Sequence, residues 1–332
     1  MIFYIILAFS TFLISLVGTR LVILTLKTRI SAPDIGLITG KKRALVPYNG
    51  GIALVFSIII GFLGTDLKSV YEVMPSIFLL TGIPLLSGII KLHPSLKFII
   101  RLVAVVAPVS IFLKPVFSGH FPLFFDKFLT VCLWLWIIHI FEKIDSVEGL
   151  LPVEIVSIGG GLVAISIFAG TFFSPLSVQA LICVMAGLGF LWWSHFPAKV
   201  MAGEIASVPV GFIAGYLFII AINSGYAVAA FIIFAYPLAD SFITFFNNPF
   251  PEKNLGNEKM KTQDLRCFMA IKNSNSPKWI VYIIAGTNML LGFLAVQSII
   301  NLQMAIFYLV IAYSMVFTVI WFFTRVRNRT LP

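Results

Sequence analysis

This sequence predicts an all-α polytopic membrane protein with about eleven transmembrane helices, its N-terminus outside and its C-terminus cytoplasmic. Three observations predict it. Of 332 residues, 60% are hydrophobic and only 11% charged, too few charges to cover that much apolar surface in water. Apolar stretches near the length needed to cross a bilayer, about 20 residues, follow one another with short polar breaks. Lys and Arg collect in alternate breaks, as they do in loops that remain in the cytoplasm.

The predicted spans run from about 1–26, 50–65, 73–90, 98–113, 121–141 and 153–173 to about 175–194, 207–223, 226–246, 279–300 and 303–323. The first has no basic start and no small-residue cleavage site before Arg20, so it is read as an anchored helix and not a signal peptide. The run GYAVAAFIIFAYPLADSFITFF is continuously apolar over a helix-length window, unlike the short alternating segments of a membrane β-barrel. Glycines in VSIGGGLVAI and VMAGLGFL permit close helix packing. Trp134, Trp136, Trp192 and Trp193 lie near helix ends, where indoles anchor at the membrane interface.

The chain reads as one integral membrane domain, 1–332, with cytoplasmic segments at about 27–49, 87–101, 139–154, 195–207 and 247–278. Those segments and the C-terminal tail hold every Lys and Arg except Arg20, inside the first helix, and the external Lys68, Lys114 and Lys127. This asymmetry accounts for the net charge of +10, with attraction to anionic headgroups, and gives no reason to expect nucleic acid. Cys132, Cys183 and Cys267 are scattered and suggest neither a disulfide framework nor a metal knuckle. His93, His120, His139 and His195 lack metal-cluster spacing.

Acidic residues follow the same division, with only Asp66, Glu72 and Asp126 outside. The positive-inside rule says little about acids, so their concentration on the inner side needs another cause, and a cytoplasmic site is the natural one. Asp145, Glu204 and Asp240 sit where helices enter the membrane, at a depth where a carboxylate costs about 2.5 kcal/mol or more unless it meets water, a cation or a metal. Taken singly, each could pair with a nearby Lys in headgroup water. Together they favour a shared polar pocket, and hard oxygen ligands beside basic residues suit Mg²⁺ and a diphosphate.

Read in order, the inner segments resemble the polyprenyl-phosphate N-acetylhexosamine-1-phosphate transferases, glycosyltransferase family 4. The first ends PYNGGIALV, similar to a Pro-Arg-Gly-Gly-Gly segment, with Pro47, Gly50 and Gly51 in place and Tyr48 for the arginine. The second, LLSGIIKLHPSLKFIIRL, keeps Leu92, Pro94 and Lys97, but Ser87 and Gly88 stand where the family has two aspartates. The third, HIFEKIDSVEGLLPVE, matches at Phe141, Asp145, Gly149, Leu150 and Glu154, with Glu148 a conservative exchange and His139 and Glu142 replacing asparagines. The fourth, FPAKVMAGEIASVPVGF, matches at Pro197, Ala198, Lys199, Gly203, Ser207, Gly211 and Phe212, with Glu204 at the position of the family's principal Mg²⁺ aspartate. Asp240 matches an aspartate of the ninth helix, and no histidine follows His195, although the fifth loop of the family carries a histidine motif.

The resemblance implies transfer of a sugar 1-phosphate from a UDP-N-acetylhexosamine to polyprenyl (undecaprenyl) phosphate with release of UMP. The setting would be the bacterial inner membrane, at the first membrane step of cell-envelope polysaccharide synthesis. It implies catalytic roles for Asp145, Glu204 and Asp240, and Mg²⁺ held by Glu204 and Asp145. Substrate contacts would fall to Gly50, Gly51, Lys97, His139, Glu148, Lys199 and Ser207, the glycine amides approaching an anion closely. A homodimer is compatible with the sequence. The alternative is a catalytically inactive relative that binds lipid or protein; an unrelated transporter is less well supported, because no internal repeat is evident.

Overall fold

The computed structural model describes residues 2–26, 49–65, 67–87, 93–111, 114, 116, 121–247 and 278–330. The expected roles of Pro47, Tyr48, Gly88 and Leu92, and the whole fifth inner loop, concern residues outside these. The described elements are helices: α1 (Ile2–Leu26), α2 (Ile52–Leu63), α3 (Leu67–Ser87), α4 (Pro94–Ile111), α5 (Leu123–Ile144), α6 (Leu150–Phe168), α7 (Pro175–Ser194), α8 (Glu204–Asn223), α9 (Ala227–Ile233), α10 (Ala235–Asn247), α11 (Lys278–Ile300) and α12 (Ala305–Thr330). Eight of them are long and apolar enough to cross a membrane, or nine spans if α9 and α10 count as one. Ile52–Leu63 and Tyr71–Leu85 are shorter apolar helices, so the length test does not reach the predicted eleven.

Several boundaries differ from the predicted ones in the same direction. Helix α4 starts at Pro94, α6 at Leu150 and α8 at Glu204, each earlier than expected, so residues assigned to inner loops belong to helix ends. Proline explains two of these misplacements. Pro94 opens α4 and Pro152 lies in the first turn of α6, positions where its missing N–H leaves no helical bond unmade. The span predicted at about 226–246 is instead two helices bent by 61°. Pro237 offers no N–H to the carbonyl of Ile233, which ends α9 at the break.

Helix α8 is the axis of the bundle. It is buried along nearly its whole length and packs against α5, α3, α2, α6, α7 and α9. Its tightest seam is with α5, where Gly211 lets the backbones meet at Ile138 and Phe141. The Trp134 indole N–H donates to the Phe212 carbonyl at 2.8 Å, and its ring stacks on Phe212 with centroids 4.8 Å apart. Polar side chains join other helices: Ser15 donates to the Ala186 carbonyl at 2.7 Å between α1 and α7, and Asn288 of α11 donates to the buried Glu154 of α6 at 3.0 Å. Glu72 and Asp126, both counted as external, are buried near the opposite end, where Tyr216 donates to Glu72 and the Val116 amide to Asp126.

The outer face is the reverse of a water-soluble surface. Phe124 is 84% and Met289 80% exposed, and exposed Phe, Leu and Ile side chains run along α1, α4 and α12. Hydrocarbon is the solvent that such a surface suits, and the protein is a multi-pass membrane protein.

The α5–α8 seam gives a direct test. A Cβ at Gly211 would lie 2.8 Å from Phe141 Cβ and 2.9 Å from Ile138 Cα, whereas a Cβ at Gly160 meets nothing within 4 Å. Gly211→Val is expected to cost about 1–3 kcal/mol or more through overpacking, read as a fall in the detergent melting temperature, while Gly160→Ala leaves that temperature unchanged or raised.

Candidate functional site

One end of the bundle gathers the polar helix ends. Glu204 is the first residue of α8, where the positive end of the helix dipole favours a carboxylate. Lys97 and Arg101 are one turn apart on α4, so both project from one helix face. Lys97 Nζ reaches Glu204 Oε2 at 2.6 Å, and Arg101 Nη2 reaches Glu204 Oε1 at 2.9 Å. Arg101 also grips Glu142 of α5 with two bonds, 2.8 and 3.0 Å. His139 Nδ1, one turn back on α5, lies 3.9 Å from Glu142. The side chains of Lys97, Arg101, Glu142 and Glu204 are 18 to 33% exposed, so these pairs are partly desolvated and stronger than surface ones. A small crevice opens between this network and Leu80, Ile83 and Pro84 of α3.

The two loops beside the network are tied by backbone bonds. Gly203 N–H donates to Asp145 Oδ2 at 2.7 Å and Ala198 N–H to Glu148 Oε2 at 2.9 Å, so two carboxylates of the α5–α6 loop hold the α7–α8 loop. Gly50 and Gly51 donate to the carbonyls of Met201 and Ala202, at 2.9 and 3.1 Å. Side chains there would strike Val200, Ala202 and Ala206, and Gly203 has φ of 73° with Asn49 packed against it. These glycines serve close backbone packing, and the Gly50 and Gly51 amides expected to face an anion are bonded inside the protein. Asp145 lies just past the end of α5 and is only 7% exposed. Burial pushes its carboxyl up to about 7, against the lowering effect of the Gly203 and Ala202 amides.

The expected site residues therefore divide. Lys97 and Glu204 meet directly, with His139 at the edge through Glu142. Asp145 and Glu148 bind loop amides, and Ser207 is buried in the first turn of α8. Lys199 lies over the Trp193 ring at 5.2 Å, a ring it shares with Arg20 at 5.6 Å, and does not join the described ion pairs. Asp240 is buried in α10, where its backbone carbonyl accepts from the Thr244 hydroxyl at 2.8 Å. Arg101 is the residue that the motifs did not single out, and its position four residues after Lys97 on an apolar helix was the available signal.

A divalent ion expected at Glu204 and Asp145 does not fit this donor set. Each oxygen of Glu204 already carries a cation, and Asp145 faces backbone amides. Among the described residues no group of three or more His, Cys, Asp or Glu side chains is gathered as a metal would need.

The fold and site define a multi-pass helical membrane protein with a charged cluster and its motif-bearing loops at one end of the bundle. Residues 52–222, just over half of the chain, match glycosyl transferase family 4, and the chain belongs to that family, as the loop motifs suggested. It is 27% identical over 180 residues to a probable undecaprenyl-phosphate N-acetylglucosaminyl 1-phosphate transferase of Bacillus subtilis, covering 51% of this chain and 49% of that protein. It is 26% identical over 223 residues to a phospho-N-acetylmuramoyl-pentapeptide-transferase of Desulfovibrio desulfuricans, covering 53% of this chain and 59% of that protein. The chain spans about half the length of the curated relatives it matches.

Asp145 supplies a pH test. Its folded carboxyl titrates near 7, above the ordinary 3.8, so its protonation stabilises the fold fully below about pH 4, and that contribution is lost as pH rises toward 7. Asn keeps an oxygen for the Gly203 amide without a charge. Asp145→Asn is therefore expected to gain melting temperature over wild type progressively between about pH 4 and 7, with a constant difference above pH 8. Asp145→Ala, which leaves the amide unpaired, is expected to be destabilised by about 1–3 kcal/mol below about pH 4, and that deficit shrinks as pH rises through 7, because only wild type loses the protonated-state contribution.

Proposed function

We propose that the protein transfers a sugar 1-phosphate from a UDP-N-acetylhexosamine to polyprenyl phosphate, releasing UMP, at the cytoplasmic face of a bacterial inner membrane. The observation that carries this is the Lys97–Glu204 pair at one end of a family 4 bundle, with Asp145 and Glu148 holding the loop that precedes Glu204, the four residues being drawn from three motif-bearing segments. The names of the two relatives support an undecaprenyl phosphate acceptor and an amino-sugar phosphate as the group transferred, and the cell-envelope setting is part of the proposal. The eleven-span count and an outside N-terminus belong to this proposal, since they place the cluster in the cytoplasm, where nucleotide sugars are found.

In the proposed reaction an oxygen of the lipid phosphate attacks the sugar-bearing β-phosphorus in line. The bond from that phosphorus to the bridging oxygen breaks, and the electron pair leaves with UMP. Lys97 and Arg101 supply the positive charge nearest the crevice and would lower the repulsion between the two phosphates. Asp145 and Glu148 act as positioning residues, because they hold the loop that precedes Glu204.

Three observations favour a second reading, a catalytically silent family member that binds lipid or protein. Glu204 is neutralised within the protein, Ser87 and Gly88 replace a pair of carboxylates, and no histidine follows His195. Release of UMP by the detergent-purified chain, given undecaprenyl phosphate and a panel of UDP-N-acetylhexosamines with and without Mg²⁺, separates the two. The transferase reading expects lipid-dependent UMP that falls at least about 100-fold in Lys97→Ala, which removes a charge that opposes phosphate repulsion. No UMP in any condition, beside an active relative as control, supports the silent partner instead.

A further inference from the structure

We infer that Lys97 and Arg101 stand in for a divalent cation at Glu204, so that this site takes phosphate ligands without a metal ion. The inference rests on the proposed reading of the site as one for phosphates, but its first test does not.

A metal at the start of α8 would neutralise Glu204 and give a nearby phosphate a positive partner. Here both tasks fall to fixed side chains. Lys97 at 2.6 Å and Arg101 at 2.9 Å each take one Glu204 oxygen, which leaves neither oxygen bare for an ion that needs close, near-octahedral contact. Arg101 is itself fixed by two bonds to Glu142, so its guanidinium is held in place and is not a mobile counter-ion. Glu142 adds the carboxylate that balances the second cation, and the four side chains sum to no net charge. A Mg²⁺ ion entering this cluster would raise its charge by two and would lie beside two existing cations.

The sequence points the same way. Ser87 and Gly88 stand where the resemblance expects two aspartates, so that segment of the sequence offers a metal no carboxylate. The crevice is lined by Lys97, Arg101 and Glu204 beside Leu80, Ile83 and Pro84, a surface suited to a phosphate carried on an apolar chain once that phosphate takes the place of Glu204 on the cations. A phosphate there would compete with Glu204 for Lys97 and Arg101, and exchanging one anion for another needs no metal.

The test measures Mn²⁺ bound by the full chain in detergent, by the loss of its free-ion electron paramagnetic resonance signal, for wild type, Glu204→Gln, Lys97→Gln and the Lys97→Gln/Arg101→Gln pair. Wild type is expected to bind no Mn²⁺ with a dissociation constant below about 1 mM. Uncovering Glu204 is expected to raise Mn²⁺ affinity by about 10-fold or more in the double variant, and by less in Lys97→Gln, which keeps Arg101 in place should the double variant not fold. One Mn²⁺ per wild-type chain bound below about 100 µM and lost in Glu204→Gln would overturn the inference. So would a folded Lys97→Gln and double variant that bind no better than wild type. The second arm is UDP binding with and without EDTA: a dissociation constant changed less than about 2-fold supports metal independence, and one weakened more than about 10-fold overturns it. Should UDP and lipid phosphate both fail to bind, the proposed function fails, while the Mn²⁺ arm still decides the charge of Glu204.

Discussion

The structure depends on a carboxylate that must be neutralised where a buried helix meets the membrane surface. Helix α8 is surrounded by other helices, and it begins with Glu204. An uncompensated charge at such a place costs several kcal/mol, of order 3–5 when a buried partner is removed. Lys97 and Arg101 meet that demand from α4, and Arg101 carries the same link on to Glu142 of α5. The consecutive helices α4 and α5 and the distant α8 are thereby fixed at one level. The crevice beside them inherits its shape and its charge from that arrangement.

The loops next to Glu204 are positioned by a second set of bonds. Asp145 and Glu148 accept from the backbone of the α7–α8 loop, and Gly50 and Gly51 donate to its carbonyls. Two motif carboxylates thus keep a loop in place, which differs from a direct role on a metal. The glycines are needed because neighbouring backbone and side chains occupy the space a Cβ would take. Conformation at Gly203, with its positive φ, then sets the direction in which α8 starts.

Much of this was legible in the sequence, for physical reasons that differ by element. Membrane helices announce themselves because lipid requires continuous apolar length, and the loop motifs pointed to the family that residues 52–222 match. The starts of α4, α6 and α8 look like loop in the sequence because Pro94, Pro152 and the polar Lys97, Glu154 and Glu204 fall there, yet these lie in helices, where Lys97 meets Glu204 and Glu154 meets Asn288. The kink at Phe234 follows from Pro237, which a hydropathy window does not resolve. For Glu204, the plainer expectation of a Lys partner holds, with Lys97 supplying it. Arg101 escaped notice because its partners, Glu142 and Glu204, come from other helices, and only the fold brings them within reach. Lys199 was expected beside phosphates, but aromatic contact with Trp193 draws it to the α1–α7 side.

The central claim is that Glu204 and Arg101 are energetically coupled through direct charge pairing. A double-mutant cycle of Glu204→Gln and Arg101→Gln, read from reversible unfolding of the purified protein in detergent, measures that coupling most directly. The account predicts that the two single substitutions are each destabilising and that their combination costs less than their sum by about 1 kcal/mol or more. Additive losses would contradict it, because they would mean that each residue acts through other partners and that Glu204 is not held by Arg101.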